Sequence, residues 1–415
     1  MSTRPNALER LIADIVAREG PITVERYWDL ALFHPEHGYY TSRDPFGATG
    51  DFVTAPEVSQ MFGELLGAWI VAAWRALGAP SPFVFAEMGP GRGTLMADML
   101  RTARQIDKAF LNAARIVLVE TSDRLALVQS RRLDAFDLPI RHVKRLADVG
   151  AGPLLLVANE LFDAVAIRQL VRVGDGWRER RVGLDAEGRL EFTVAAQGDG
   201  AADFDAAYPP LSCRTSPPQG GRTGSFGDMP ISLLEGEMSG RTEGGASRDL
   251  QTSSILSSAI LELSPQRLAI ADTIAAKIAS YGGAALIIDY GHAKSGYGDT
   301  LQAVKHHAFA DPLAAPGERD ITSHVDFESL AERFAAAGLT VAPIMEQGEF
   351  LLRLGLAERA GALGRDRSAE EAAAIEAAAR RLAGTGKAEM GSLFKVLAAS
   401  SMHFPMPPFP SQSLD

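Results

Sequence analysis

The stretch Phe83-Val84-Phe85-Ala86-Glu87-Met88-Gly89-Pro90-Gly91-Arg92-Gly93-Thr94-Leu95 decides the fold. A short apolar run ends in a carboxylate, three alternate glycines follow, and a helical pattern then begins. Bounded in this way, the run reads as a buried strand. Glycine has no Cβ and takes positive φ at little cost, so the backbone can turn sharply and come close to a ligand. The helix beyond offers unpaired N–H groups in its first turn. Together these features read as a loop for a nucleotide-type cofactor. A dinucleotide fingerprint would require Gly-x-Gly-x-x-Gly, with glycine where Thr94 stands, whereas the third glycine here comes one residue early at Gly93. A purely structural strand-to-helix turn is the competing reading of the same residues.

Two further strand ends sharpen the picture. Arg115-Ile116-Val117-Leu118-Val119 runs into Glu120, 33 residues after Glu87, with Thr121 and Ser122 placed to start a helix. A carboxylate at the open edge of a parallel sheet can accept from both hydroxyls of a ribose diol. The fully apolar Leu154-Leu155-Leu156-Val157-Ala158 then leads into Asn159-Glu160-Leu161-Phe162-Asp163, placing an amide and two carboxylates at the same edge. In the plainer reading Asp163 caps a helix and Glu160 is solvated.

The form Glu-x-Gly-x-Gly-x-Gly from Glu87 to Gly93 resembles the first motif of class I S-adenosylmethionine (SAM) methyltransferases. The chain as a whole resembles the MidA family, bacterial relatives of the mitochondrial complex I assembly arginine methyltransferase. The resemblance is carried by His37-Gly38-Tyr39-Tyr40, Asp44-Pro45-Phe46-Gly47, Gly50-Asp51-Phe52-Val53-Thr54-Ala55-Pro56-Glu57, the Glu87–Thr94 loop and Asn159-Glu160-Leu161-Phe162-Asp163-Ala164. It continues in Ile288-Asp289-Tyr290-Gly291, Gly298-Asp299-Thr300-Leu301-Gln302-Ala303 and Asp320-Ile321-Thr322-Ser323-His324-Val325-Asp326-Phe327. It implies a Rossmann-like α/β sheet with helices on both faces, SAM as cofactor, and methylation of an arginine on a protein partner such as a complex I subunit.

On that resemblance Glu87, Gly89, Gly91, Gly93, Thr94, Glu120 and Asp51 are expected to bind the cofactor, and Glu160, Asp163 and Asn159 to carry the chemistry. An arginine acceptor starts protonated and planar, and paired carboxylates can grip it by bidentate contacts while aiming one nitrogen at the methyl. Asp44, Phe46 and Thr54 are expected in a lid over the pocket, with His324 on the substrate side as a possible general base or a structural hydrogen-bonding group. Asp289 either lines the acceptor side or ends a strand in a turn. Two alternatives to arginine methylation stay open: another protein or small-molecule acceptor, and an assembly factor that uses SAM only structurally.

Composition favours a soluble cytoplasmic enzyme. Net charge is 41 minus 52, or −11, which disfavours nucleic acid and anionic membrane and suits a basic peptide. The apolar run Leu65–Trp74 is far short of a bilayer span, and no secretory signal is visible at the start. A single cysteine excludes a disulfide framework and a cysteine-based metal cluster, and the His306-His307 pair lacks the spacing of a metal site.

The expected organisation is helices and a lid in residues 1–80, the first part of the SAM-binding core in 81–165, and an antiparallel β subdomain or dimer contact in 166–208. A disordered insertion is expected in 209–258 and the second part of the core in 259–415. Thr54-Ala55-Pro56-Glu57 has the form of a capping box opening a long helix whose apolar stripe runs from Met61 to Leu77. Residues 209–258 contain 8 glycines, 5 prolines and 10 serines, a composition that cannot bury enough surface to offset ordering entropy, and they include the lone Cys213.

Overall fold

Phe83–Met88 is a strand buried along its whole length, because apolar strands flank it on both sides. It lies inside a nine-stranded sheet of the computed structural model, which describes residues 5–42, 54–174, 176–196, 259–305, 308–402 and 407–409. Across the sheet the main order is Thr340–Val341, Phe394–Ser400, Gly283–His292, Leu154–Asn159, Phe83–Met88, Ala114–Val119 and Ile140–Val143. The five strands from Gly283–His292 to Ile140–Val143 are parallel, and Phe394–Ser400 runs antiparallel to its neighbours. Val325–Asp326 pairs beside the end of Gly283–His292, and Met345–Glu346 beside Phe394–Ser400.

Both faces of the sheet are covered, so its strands read as continuous apolar runs instead of alternating ones. Phe83, Phe85, Leu155, Val157, Leu286 and Ile288 point into one core, shared with the helices Gln60–Ala76 and Thr94–Ile106. Val84, Ala86, Leu156, Ala158, Ala285 and Ile287 point into the other, against the helices Pro265–Tyr281 and Phe327–Ala336. Each large side chain so buried contributes about 1.5–3 kcal/mol. This is the Rossmann-like class I sheet expected from the sequence.

Chain order fixes where a ligand can enter. From Phe83–Met88 the chain moves outward through Ala114–Val119 to Ile140–Val143, then crosses back to Leu154–Asn159 and Gly283–His292 on the other side. That reversal makes a topological switch point between the carboxyl ends of Phe83–Met88 and Leu154–Asn159, where open α/β sheets leave a crevice.

Residues Asp44–Val165, Pro265–Ser295 and Ser323–Asp415 make up the compact unit holding this sheet, and Met1–Arg43, Ala166–Ser264 and Gly296–Thr322 make up another. The latter holds an antiparallel sheet in the order Ile22–Thr23, Gly176–Leu184, Arg168–Val173 and Ile260–Leu263, with Leu190–Val194 paired to Gly176–Leu184. Arg168–Val173, Gly176–Leu184 and Leu190–Val194 follow one another along the chain as antiparallel neighbours. The flanking two come from segments distant in sequence. A three-stranded sheet of Ala308–Ala310, Gln302–Lys305 and Asp320–Thr322 and a core around Tyr27, Trp28, Ile167 and Val182 complete this unit.

Several local expectations change. The Thr54 side chain makes no cap hydrogen bond, and the helix it opens, Ala55–Val58, ends after four residues. Ser59 then caps the separate helix Gln60–Ala76 by accepting from Met61 N–H. Near the end of the sheet the chain adds two short pieces, Thr340–Val341 and Met345–Glu346, instead of one continuous strand. The expected insertion at 209–258, the His306-His307 pair, and Asp44, Phe46 and Asp51 lie outside the described residues.

Candidate active site

Strand register lines up the expected carboxylates. Met88 pairs with Val119 on one side and with Ala158 on the other, and Asn159 pairs with Ile288. The next residues, Glu120, Gly89, Asn159-Glu160 and Asp289, therefore follow one another along the carboxyl edge of the sheet. At about 4.8 Å per strand, the Glu120 and Glu160 ends stand roughly 10 Å apart.

The glycine loop takes the expected left-handed conformations, with φ of +64° at Gly89, +52° at Gly91 and +77° at Gly93. A Cβ at Gly89 would stand 2.8 Å from Leu161 Cδ1, so the Leu161 side chain would have to shift to admit one. Gly93 is the N-cap residue of the helix Thr94–Ile106. Beneath the loop, Glu87 is 2% exposed. It accepts from Met96 N–H in that helix's first turn, yet burial pushes its carboxyl up to about 8. Its Oε2 is buried without a partner.

Glu120 is held from two sides. Oε1 accepts from Ser122 N–H at 2.7 Å, and Oε2 accepts from Gln129 Nε2 at 3.0 Å. Burial raises this carboxyl too. Gln129 also donates to the Gly91 carbonyl at 2.8 Å, so one side chain fixes both the glycine loop and Glu120. The sequence reading missed it. The signal is a polar residue in an apolar stripe: Leu125, Gln129 and Leu133 are the buried positions of the helix Asp123–Leu133.

The Thr94 hydroxyl is engaged within the chain. Its hydroxyl donates to Glu57 Oε1 at 2.6 Å and accepts from Arg132 Nη1 at 2.5 Å. Arg92 Nη1 lies 4.0 Å from Glu57 Oε2. Glu57 thus reaches across to the glycine loop and does not close a capping box on Thr54.

At the next strand end, Glu160 has φ of +50°, a conformation that costs a non-glycine residue on the order of 1–3 kcal/mol and that clusters at functional sites. The cause of the strain is visible. Asp289 Oδ2 accepts from three successive N–H groups, of Leu161 at 3.1 Å, Phe162 at 2.8 Å and Asp163 at 3.2 Å, which forces the turn into an anion-binding nest. Asp289, left open by the sequence, is therefore the clasp of this turn. No helix follows Asp163, which lies in a turn and accepts from Ala164 N–H at 2.9 Å.

Nor is Glu160 solvated. It is half-buried, and Oε1 accepts from Ala55 N–H at 2.9 Å and from Asn159 Nδ2 at 3.1 Å. Burial, and then the Asp163 charge, push its carboxyl up to about 7. Asn159 Oδ1 is buried without a partner. Burial raises Asp163 and, with the Asp163 and Glu160 charges, raises Asp289 well above the ordinary range.

One buried cation balances this cluster. Arg267 donates to the His324 carbonyl at 2.8 Å, the Ser323 hydroxyl at 2.7 Å and the Asp163 carbonyl at 3.3 Å. It was also missed, and it too stands in an apolar stripe, with Ala271, Ile274, Ala275 and Ile278. Tyr290, whose hydroxyl meets the Asp163 carboxylate, packs edge-on against the His324 ring. Burial, with the nearby His292, Arg267 and Lys395, lowers the His324 imidazole to about 4. A neutral ring with so low a pKa is a poor general base at neutral pH.

Glycine backbone in left-handed turns, the unpartnered buried oxygens of Glu87 and Asn159 and the braced carboxylate of Glu120 at the next strand end fit a ligand that carries cationic groups and a diol. Comparison with known proteins gives the same answer. Residues 65–345, well over half of the chain, match the family described as "Putative S-adenosyl-L-methionine-dependent methyltransferase". The chain belongs to this methyltransferase family. The methyltransferase is 33% identical over 381 residues to the "Protein arginine methyltransferase NDUFAF7, mitochondrial" of Danio rerio, covering 86% of this chain and 78% of that one. It is 32% identical over 405 residues to the Drosophila melanogaster homolog, covering 91% and 81%. A COG1565 superfamily structure from Burkholderia thailandensis, bound to S-adenosyl-homocysteine, superposes with a TM-score of 0.69 at 25% identity, over 95% of this chain and 92% of that one.

The cofactor of the methyltransferase is accordingly SAM. The cytoplasmic location expected from composition is overturned, because these curated relatives are mitochondrial proteins. Charge balance does not report compartment.

Proposed function

We propose that this methyltransferase moves the SAM methyl to an arginine guanidinium of a protein partner, with Glu160 as the acceptor-side base. The family resemblance suggests a complex I subunit as that partner, and the relatives' names as arginine methyltransferases support the acceptor class. When bound, SAM supplies an electrophilic methyl on a sulfonium centre. Glu87, with its unpartnered Oε2, would face the cationic end of the cofactor, and Glu120, braced by Ser122 and Gln129, would accept from the ribose hydroxyls.

The observation that carries the reading is the state of Glu160. A guanidinium must lose a proton for its nitrogen to attack the methyl carbon, and the carboxylate that takes it must be unprotonated yet basic. Burial brings Glu160 to about 7, close to the working pH, while Ala55 N–H and Asn159 fix one oxygen and leave Oε2 to grip the substrate. Asn159 and Asp163 orient the same guanidinium beside it.

Replacing Glu160 with Gln should lower methyl transfer by about 100-fold or more, with SAM affinity within about threefold of wild type. In the wild type, turnover should rise as pH passes upward through about 7, because the base works only when ionised. Methyl transfer by Glu160→Gln at the wild-type rate would remove Glu160 from this role.

A further inference from the structure

The helix Ala55–Val58 is a single turn, too short to be stable by its own hydrogen bonds. Tertiary ties hold it. Ala55 and Pro56 are buried, and a hydrogen bond leaves the turn in each of two directions. Toward the glycine loop, Glu57 accepts from the Thr94 hydroxyl at 2.6 Å. Toward the acceptor side, Ala55 N–H donates to Glu160 Oε1 at 2.9 Å. Arg132 pins Thr94 from behind, so the Glu57 anchor point is itself fixed.

We infer that Glu57 is a positioning residue: through this one-turn helix it ties the first residue of the cofactor-loop helix to the Glu160 carboxylate and holds the Ala55 N–H on that carboxylate. The inference rests on the reading of Glu160 as the acceptor-side base. Cutting the Glu57–Thr94 bond frees the turn to shift, and Glu160 then loses a backbone donor that favours its ionised form. The other groups acting on Glu160 are Asn159, Asp163, Asp289 and Arg381, none of which the change touches.

The test needs no methyl acceptor. Protein carrying 13C-carboxyl glutamate is titrated by NMR, and the Glu160 resonance is identified by its loss in Glu160→Gln. The Glu160 midpoint should lie about one pH unit higher in Glu57→Ala than in wild type. Thr94→Val should move it in the same direction, and the double variant no further than the larger single effect, because both cut one tie. Glu57→Gln keeps an oxygen for the Thr94 hydroxyl and should restore most of the wild-type midpoint. A folded Glu57→Ala protein with an unmoved Glu160 midpoint would overturn the inference; if that variant fails to fold, the near-isosteric Thr94→Val decides in the same way. Should Glu160 prove idle in catalysis, Glu160→Gln would show it in turnover while this titration kept its meaning.

Discussion

Glu87 is costly to the folded chain in a way that can be measured. Its carboxyl ionises near 4.5 when exposed and at about 8 in its buried place. The stability associated with the neutral form is therefore fully present below 4.5 and is lost progressively as pH rises toward 8, because the unfolded chain has already released its proton. Glu87→Gln cannot ionise and escapes that loss. Its melting temperature should exceed that of wild type by about 2–5 °C at pH 8 and match it near pH 4.5, as scanning calorimetry at the two pH values would show. The same variant should bind SAM about tenfold or more weakly above about pH 8, where the wild-type carboxyl is ionised and a cationic ligand loses its anion, and with little change near about pH 6. A residue that weakens the fold and strengthens the cofactor site is expected at a functional position.

Elements follow the same logic one level up. Gly291 lies beside Val325 in the parallel pair at the end of Gly283–His292, where an added Cβ would stand 2.1 Å from the Val325 carbonyl oxygen. Gly291→Ala should displace Val325–Asp326, together with the His324 carbonyl that Arg267 holds, and lower the melting temperature by about 5 °C or more. SAM affinity should change less than threefold by calorimetry, because Glu87 and Glu120 stand on other strands. Parallel strands were legible in the sequence because burial on both faces leaves unbroken apolar runs, and the polar residues that end those runs fell on one sheet edge. The braces behind them were not legible. Gln129 and Arg267 sit in apolar helix stripes, where periodicity counts only their neighbours, and Asp289 looked like a turn residue until three N–H groups were seen converging on it. The Thr54–Glu57 capping pattern misled because a carboxylate three residues past an N-cap can bond to any donor within reach, and the Thr94 hydroxyl was closer to hand.

For the whole molecule, the chain leaves and re-enters its main sheet unit, with the described site residues all supplied by 44–165, 265–295 and 323–415. Sequence distance hid this division, since Ile22–Thr23 and Ile260–Leu263 flank the same small sheet from segments far apart. Deleting residues 212–256, from the glycine-, proline- and serine-rich segment, should leave SAM affinity within about twofold of wild type, checked by calorimetric titration. The net charge of −11 also suits a basic acceptor segment. The most direct test of the central claim is to supply SAM labelled in its methyl group to the purified protein with extract from cells lacking it, and to analyse the labelled protein by amino-acid hydrolysis. The account predicts label in methylarginine with wild type and almost none with Glu160→Gln. Label in another residue or in a small molecule, or equal labelling by the variant, would contradict it.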